Sequence, residues 1–388
     1  SRVWDLSGKE YVDYSLGSGP MILGHAHPEV VAAVSEQLTR GSTFFGLNEH
    51  AIQLAEEIVK AVPCAEKVRF TSTGTEATFH AMRVARAYRK RDKILKFEGG
   101  YHGMNDYGLM SMAPDEQADF PASRPDSAGI PHSLRSEVLI APFNDIETTT
   151  AIVEQHHDEL GAAIVEPFQR VIPPEPGFLE GLREATRLYQ VPLIFDEVVT
   201  GFRFAYGGAQ EYYGVVPDLC ALGKAMAGGF PLAAVVGSQE IMDHFDPDRP
   251  RSSGGVLQEG TFNGNPISAV AGLAALKVLR REGAYQALFD TGRQVKDALQ
   301  RLLNEAEMNA QVVGEPPVFD VFFADGEITD YRSTLRADKR RLARLTSLLL
   351  ERGIYKNHNK FYISTAHDQS DVDFTIAAMA SAIEELGA

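Results

Sequence analysis

Two residues 28 positions apart carry the most reactive combination in the chain. Asp196 follows a short apolar run, Val191 to Phe195, and stands beside Glu197; Lys224 sits between Gly223 and a small-residue run ending in Gly228 and Gly229. A carboxylate at the carboxyl end of a buried strand lies where open α/β sheets hold their ligands. A lysine in partly desolvated surroundings loses its proton more readily and becomes an amine nucleophile. Together they suit Schiff-base chemistry on pyridoxal 5'-phosphate, in which the amine takes up the aldehyde and the acid keeps a proton on the pyridine nitrogen, making the ring an electron sink. Each feature also has an ordinary reading, because many strands end in acids and most glycine-flanked lysines are solvated. The rest of the chain has to supply the walls of a site.

Further candidates lie at similar junctions. Val68 to Phe70 reads as a strand and Thr75 to Arg89 as a helix, with Ser72, Thr73, Gly74 and Thr75 between them. Free N–H groups and the helix dipole at such a start favour a phosphate; an ordinary hydroxyl cap with Glu76 in the first turn is the equal alternative. Tyr101 and His102 follow the strand Ile94 to Phe97, where an aromatic ring can stack on a cofactor. Glu166 ends the apolar run AAIVEPF. Ser111 to Arg135 is polar, proline-bearing and long for a bare connection, which suits a lid or binding loop. His25 and His27 have no acidic or histidine partner nearby in sequence and read as turn or packing residues, so no metal site is expected.

These junctions presuppose an alternation of strands and helices, and the chain supplies it. Of its 388 residues 44% are hydrophobic and 23% charged, which matches a globular protein with ample core. The formal charge of -16 repels nucleic acid and anionic membranes, so neither is an expected partner. No apolar run reaches the roughly 18 residues of a membrane span, and SRVWDLSGKEY lacks the basic and apolar regions of a signal peptide. A cytoplasmic location is the expectation. Cys64 and Cys220 make no disulfide framework or zinc spacing. Short apolar strands alternating with helices give an α/β fold with a mostly parallel sheet. From Gly283 onward two long charged helices bracket short strands, a small α+β domain joined by the hairpin at residues 1–20. The expected division is therefore 1–40 (N-terminal segment), 41–282 (large domain) and 283–388 (small domain).

Five motifs complete the pattern: TGTEA at 73–77, EGGYHG at 98–103, DEVVTGFR at 196–203, LGKAMAGGFP at 222–231 and GTFNGNP at 260–266. In order and spacing they resemble the class III pyridoxal-phosphate-dependent aminotransferases, and the resemblance covers nearly the whole chain. GSGPMILGHAHPEV, RPDSAGIP, PPEPGFLEGLREA and ISTAHDQSDVD look particularly like the glutamate-1-semialdehyde aminomutase branch. The resemblance implies fold type I, with a large mixed, mostly parallel sheet domain, a smaller α+β terminal domain, and a homodimer with shared active sites. It implies that Lys224 forms the Schiff base and shuttles a proton, and that Asp196 pairs with the pyridinium nitrogen. Val198 would pack beneath the ring and Tyr101 above it, with His102 and Glu166 at the same site. The N–H groups of Gly74 and Thr75 and the Thr73 hydroxyl would hold the phosphate, and Thr261 would reach the phosphate of the other subunit. The cofactor would pass through pyridoxamine 5'-phosphate as an amine or amino-acid donor is exchanged for a keto-acid acceptor.

The chain departs from the aminomutase branch where substrate would bind. The branch has a carboxylate-holding arginine upstream of the first hairpin, ahead of where Ser1 stands, and a tryptophan where SLGSGP has Ser18. After Glu166 and Pro167 it has a longer segment with glycine and asparagine, where this chain has Phe168, Gln169 and Arg170. These differences favour intermolecular transfer to or from an amine or β-amino acid, with Ser18, Gln169, Arg170 and Arg203 as candidate substrate residues. An arginine suits bidentate binding of a carboxylate. The aminomutase reaction, and a racemase or epimerase on the same scaffold, are the alternatives. A catalytically silent scaffold would have lost the lysine or the acid, and both are present. No GxGxxG follows the first strand, which disfavours a dinucleotide oxidoreductase.

Overall fold

The computed structural model describes residues 1–356 and 360–387. The chain divides into two compact units: residues 32–170 with 174–276, and residues 1–31 with 171–173 and 277–388. Along it run strands β1 (Arg2–Trp4), β2 (Glu10–Asp13), β3 (Lys67–Thr71), β4 (Lys93–Phe97), β5 (Val138–Ala141), β6 (Leu160–Val165) and β7 (Leu193–Glu197). They are followed by β8 (Leu219–Leu222), β9 (Ala233–Gly237), β10 (Gln311–Glu315), β11 (Val318–Phe322), β12 (Ile354–Tyr355) and β13 (Phe361–Tyr362).

In the larger unit β3 to β9 form a seven-stranded sheet in the order β3-β9-β8-β7-β6-β4-β5. β4 to β8 pair in parallel, while β9 runs antiparallel to both of its neighbours. The sheet is thus mixed and mostly parallel, as the alternation of elements predicts. Strands β6 to β9 are buried at every position, which explains their continuous apolar runs, since a parallel sheet covered on both faces has no polar side to alternate with.

The helix Gly74–Arg89 starts at Thr73, whose side chain accepts from the Glu76 N–H while Glu76 accepts from the Thr73 N–H, a capping box. It buries Ala77, Ala81, Val84 and Ala85 against Ile164, Ile194, Ala221 and Val235 of the sheet. Three alanines on that face let the helix axis lie close to the strands, so its N-terminus is held rigidly. In the other unit β1 and β2 form the antiparallel hairpin, and β12 adds to β2 in parallel, Ile354 opposite Val12. The hairpin therefore pairs with a strand from the C-terminal part of the chain. His25 is a turn residue there: its Nε2 lies 2.7 Å from Asp13 Oδ2. The second of the long charged helices runs Lys339–Glu351, starting where Asp338 caps it by accepting from the N–H groups of Arg340 and Arg341. The short helices Ala209–Tyr213 and Gln239–Met242 have too few residues for a periodicity to show in sequence.

Candidate active site

Four adjacent strands, β8, β7, β6 and β4, bring their carboxyl ends together, and each delivers one chemical element of the site. β7 ends in Asp196 and Glu197, β6 leads to Glu166, β4 leads to Tyr101 and His102, and β8 leads through Gly223 to Lys224. Parallel pairing sets Asp196 beside Ala221 and Glu197 beside Leu222. The acid and the lysine thus share one edge of the sheet although 28 residues separate them in sequence.

The two acids of β7 have different work. Asp196 is 6% exposed; its Oδ2 lies 2.8 Å from His102 Nδ1, and its Oδ1 accepts from the Val198 N–H at 3.1 Å. Glu197 is fully buried and faces its own chain, accepting from Thr200 Oγ1, the Ala209 N–H and Gln210 Nε2. Burial pushes its carboxyl above the usual range. Gly208 has to be glycine, because a Cβ there would meet Glu197 Oε2 at 2.4 Å and its φ is +80°. Glu197 therefore builds the loop, and Asp196 is left for the site.

Val198 forms a floor. A Cβ at Gly74 would stand 2.9 Å from its Cγ1, and one at Gly223 would stand 3.3 Å from the same atom. The valine thus lies between the start of the helix and the residue before Lys224. Lys224 is half-buried and has φ +44°, opening a single 3-10 turn. Glu166 ties two strand ends together: Oε1 accepts from the Tyr101 N–H at 2.6 Å and Oε2 from the Arg170 N–H at 3.2 Å.

The residues present fit a phosphorylated pyridine aldehyde. The N–H groups of Gly74 and Thr75 have no acceptor among the described residues, and they head a 16-residue helix whose dipole favours an anion. Thr73 is placed differently from expectation, since its hydroxyl is engaged in the cap. Thr75 Oγ1 lies against the YHG turn, accepting from the Met104 N–H at 3.2 Å, and a Cβ at Gly103 would meet it at 2.6 Å. Gly74 and Thr75 would offer anion donors, Val198 a floor, Asp196 an acid and Lys224 an amine to such a group.

The remaining candidates are distributed unevenly. Arg170 is half-buried with φ +63°, and its guanidinium carbon stands 5.4 Å from the centre of the Tyr101 ring. Arg203 is fully buried, with no surface left to meet a substrate. Gln169 is also buried, its Nε2 donating to the Glu98 carbonyl at 2.8 Å. Ser18 is exposed at φ +68° and belongs to the smaller unit. Thr261 is exposed, in a loop that Arg69 holds through Gln258 and Ser72 holds through Asn263. No group of side chains among the described residues could hold a metal ion.

Two contributors were not legible beforehand. Thr78 donates to the His102 carbonyl at 2.7 Å, locking the YHG turn to the helix. Lys96 is fully buried and donates to the carbonyls of Gly108 and Met110 at 2.8 and 2.6 Å. Burial lowers its pKa to about 7. A charged residue inside an otherwise apolar strand was the available signal for it.

The chain matches the family Aminotransferase class-III over residues 1–357. It is 40% identical over 392 residues to the glutamate-1-semialdehyde 2,1-aminomutase of Methanosphaera stadtmanae, spanning 100% of this chain and 90% of that protein. Among solved structures, an omega-transaminase from Sphaerobacter thermophilus superposes with a TM-score of 0.94 at 37% identity, over 99% of this chain and 89% of that one. A variant glutamate-1-semialdehyde aminomutase from Pseudomonas aeruginosa PAO1 in complex with PMP gives 0.88 at 27%, over 99% and 86%. By this family match over nearly the whole chain and the shared mixed sheet, the chain belongs to the class III aminotransferases of fold type I, and pyridoxal 5'-phosphate is its cofactor.

Proposed function

We propose that the chain moves an amino group between an amine or β-amino acid and a keto acid, with Lys224 and Asp196 as its catalytic pair. When bound, the cofactor supplies an aldehyde for the amine and a ring that accepts the electrons released when a C–H bond breaks. Asp196 would hold the proton on the ring nitrogen, with its other contacts already fixed by His102 and the Val198 N–H. Val198 would lie under the ring and Tyr101 over it. Lys224, once displaced by the incoming amine, would carry the proton from substrate carbon to cofactor carbon. The N–H groups of Gly74 and Thr75 would hold the phosphate, and Thr261 would serve the partner subunit of a homodimer. An exposed apolar group at Phe44, Phe45, Leu47 and Phe262 supports such a dimer.

The observation that carries intermolecular transfer is Arg170. A non-glycine residue at φ +63° is strained and persists where its surroundings over-determine it. Here the result is a cation seated over the Tyr101 ring, suited to the carboxylate of a keto acid or a β-amino acid. The aminomutase branch has a glycine- and asparagine-containing segment at this point. Glutamate-1-semialdehyde 2,1-aminomutase activity is the second reading, and the curated relatives support it better than they support the first. Overall identity near 40% does not by itself fix the substrate, however, since a handful of side chains choose it.

Two incubations separate the readings: the enzyme with glutamate 1-semialdehyde alone, and the enzyme with a panel of amines and β-amino acids plus pyruvate or 2-oxoglutarate. Formation of alanine or glutamate with loss of the donor amine is the expected result. Product from the semialdehyde alone, with none from the panel, would overturn intermolecular transfer.

A further inference from the structure

Two backbone N–H groups from segments that follow different strands end on one buried carboxylate. Strands β4 and β6 pair in parallel, Ile94 opposite Ala162 and Leu95 opposite Ala163, so the segments that leave them emerge side by side. Glu166, the residue after β6, is 6% exposed; its Oε1 accepts from the Tyr101 N–H at 2.6 Å and its Oε2 from the Arg170 N–H at 3.2 Å. Neither N–H has a backbone acceptor among the described residues. A backbone donor left unpaired away from water is costly, so the carboxylate answers for both.

The same two residues meet again through their side chains. The Arg170 guanidinium carbon stands 5.4 Å from the centre of the Tyr101 ring. The bond to Oε2 fixes where the backbone enters Arg170, and the turn at φ +63° that follows carries the side chain over the ring. The bond to Oε1 fixes the start of Tyr101 in the same way. Only a carboxylate suits both places. It offers two acceptor oxygens, whereas an amide offers one oxygen and an NH₂ group that donates and cannot take an N–H.

We infer that Glu166 is a positioning residue whose two oxygens set the spacing between the Tyr101 ring and the Arg170 cation. It works through backbone contacts and reaches the reaction by way of those two side chains. Its consequence for turnover rests on the reading of Arg170 as the partner of a substrate carboxylate; the seating of the two residues does not.

Hydrogen–deuterium exchange of the cofactor-loaded protein, resolved to single amides by fragmentation mass spectrometry, tests the seating without turnover. Slow exchange at Tyr101 and Arg170 is expected in the unsubstituted protein, and rates there as fast as in an exposed loop overturn the inference without any variant. Glu166→Gln should speed at least one of the two amides by about 10-fold or more while the amides of β6 keep their rates. No change at either amide overturns the inference, and so does acceleration spread along β4 and β6, the mark of a loosened fold. Kinetics then separate it from the substrate reading. Glu166→Gln should raise KM for a keto acid by roughly 10-fold with kcat little changed, and should add nothing further in an Arg170→Ala background, because it acts through that residue. An effect of full size in that background, or an unchanged KM in Glu166→Gln where Arg170→Ala raises it, overturns positioning through Arg170. An unchanged KM in Arg170→Ala itself removes Arg170 from substrate binding and leaves the exchange rates to decide the seating.

Discussion

Lys224 differs from its neighbours in backbone as well as in chemistry. A left-handed conformation costs an L-residue on the order of 1–2 kcal/mol, yet the chain places its one Schiff-base candidate at φ +44° directly after the extended Gly223. Lys224 stays half-buried where Ala225 and Met226 after it are fully buried. Lys224→Ala is expected to abolish the visible absorbance of the protein-bound Schiff base and to lower amino transfer by at least about 10²–10⁴-fold, the range of positioned acid–base groups. Absorbance spectra and a donor–acceptor assay check this; full activity in that variant would remove the lysine from the mechanism. Arg170 allows a sharper substitution. Arg170→Lys keeps the charge but loses the planar fork, so KM for a keto acid should rise by about 10-fold while turnover at saturation changes little; an unchanged KM would take Arg170 out of substrate binding.

Among the elements, β4 and the chain after it show how a buried cation can shape a loop. Lys96 reaches the carbonyls of Gly108 and Met110, and the same segment continues through Ser111, whose N–H donates to the Arg124 carbonyl, and Asp126, which accepts from the N–H groups of Met112 and Ala113. The stretch expected from sequence to be a lid or binding loop is thereby stitched at its base. With its pKa lowered from 10.5 to about 7, chiefly by burial, Lys96 titrates differently in the folded and unfolded chains. The folded state gives up that proton first, so this contribution to stability is fully present above pH 10.5 and is lost as pH falls through about 7. Thermal denaturation of the native protein should therefore show a stability gain between pH 7.5 and 9.5 that Lys96→Met flattens; an identical pH slope in the two proteins would contradict the burial of a titrating lysine.

For the molecule as a whole, charge and exposed apolar surface point in different directions. A net charge of -16 disfavours self-association at long range, yet Phe44, Phe45, Leu47 and Phe262 stand 59% to 92% exposed. Asn48 ties the two segments, donating to the Gly264 carbonyl at 2.8 Å. In the proposed dimer this face is covered and Thr261 is carried to the second site. Phe262→Asp should shift sedimentation from dimer toward monomer and weaken cofactor retention together; a monomer that keeps its cofactor would separate Thr261 from the phosphate. The smaller unit has its own pH limit. His367, stacked on Tyr14 at 4.5 Å, is held neutral by burial with its pKa lowered from 6.5 to about 4. Its contribution is present above pH 6.5 and is lost as pH falls toward 4.

The candidate cofactor residues and the fold were readable because their signals are local. A hydroxyl, a glycine and a helix start within TGTEA, or an acid closing an apolar run, need only their own neighbours to be recognised, and the alternation of strands and helices follows from which residues avoid water. That Asp196 and Lys224 could share a site was also legible; that both stand at one edge of the sheet follows from parallel pairing of β7 with β8, a long-range register that no local pattern contains. The same limit hid the work of the second acid, since Glu197 and Asp196 are adjacent carboxylates whose surroundings are set by which way a strand turns each side chain. It hid the direction of Gln169 as well, because an amide's role depends on which buried partners it meets. Thr73, Arg170 and Arg203 illustrate the rule: a side chain's type was known from the start, and its burial, partners and backbone angle came from contacts between residues far apart in the chain.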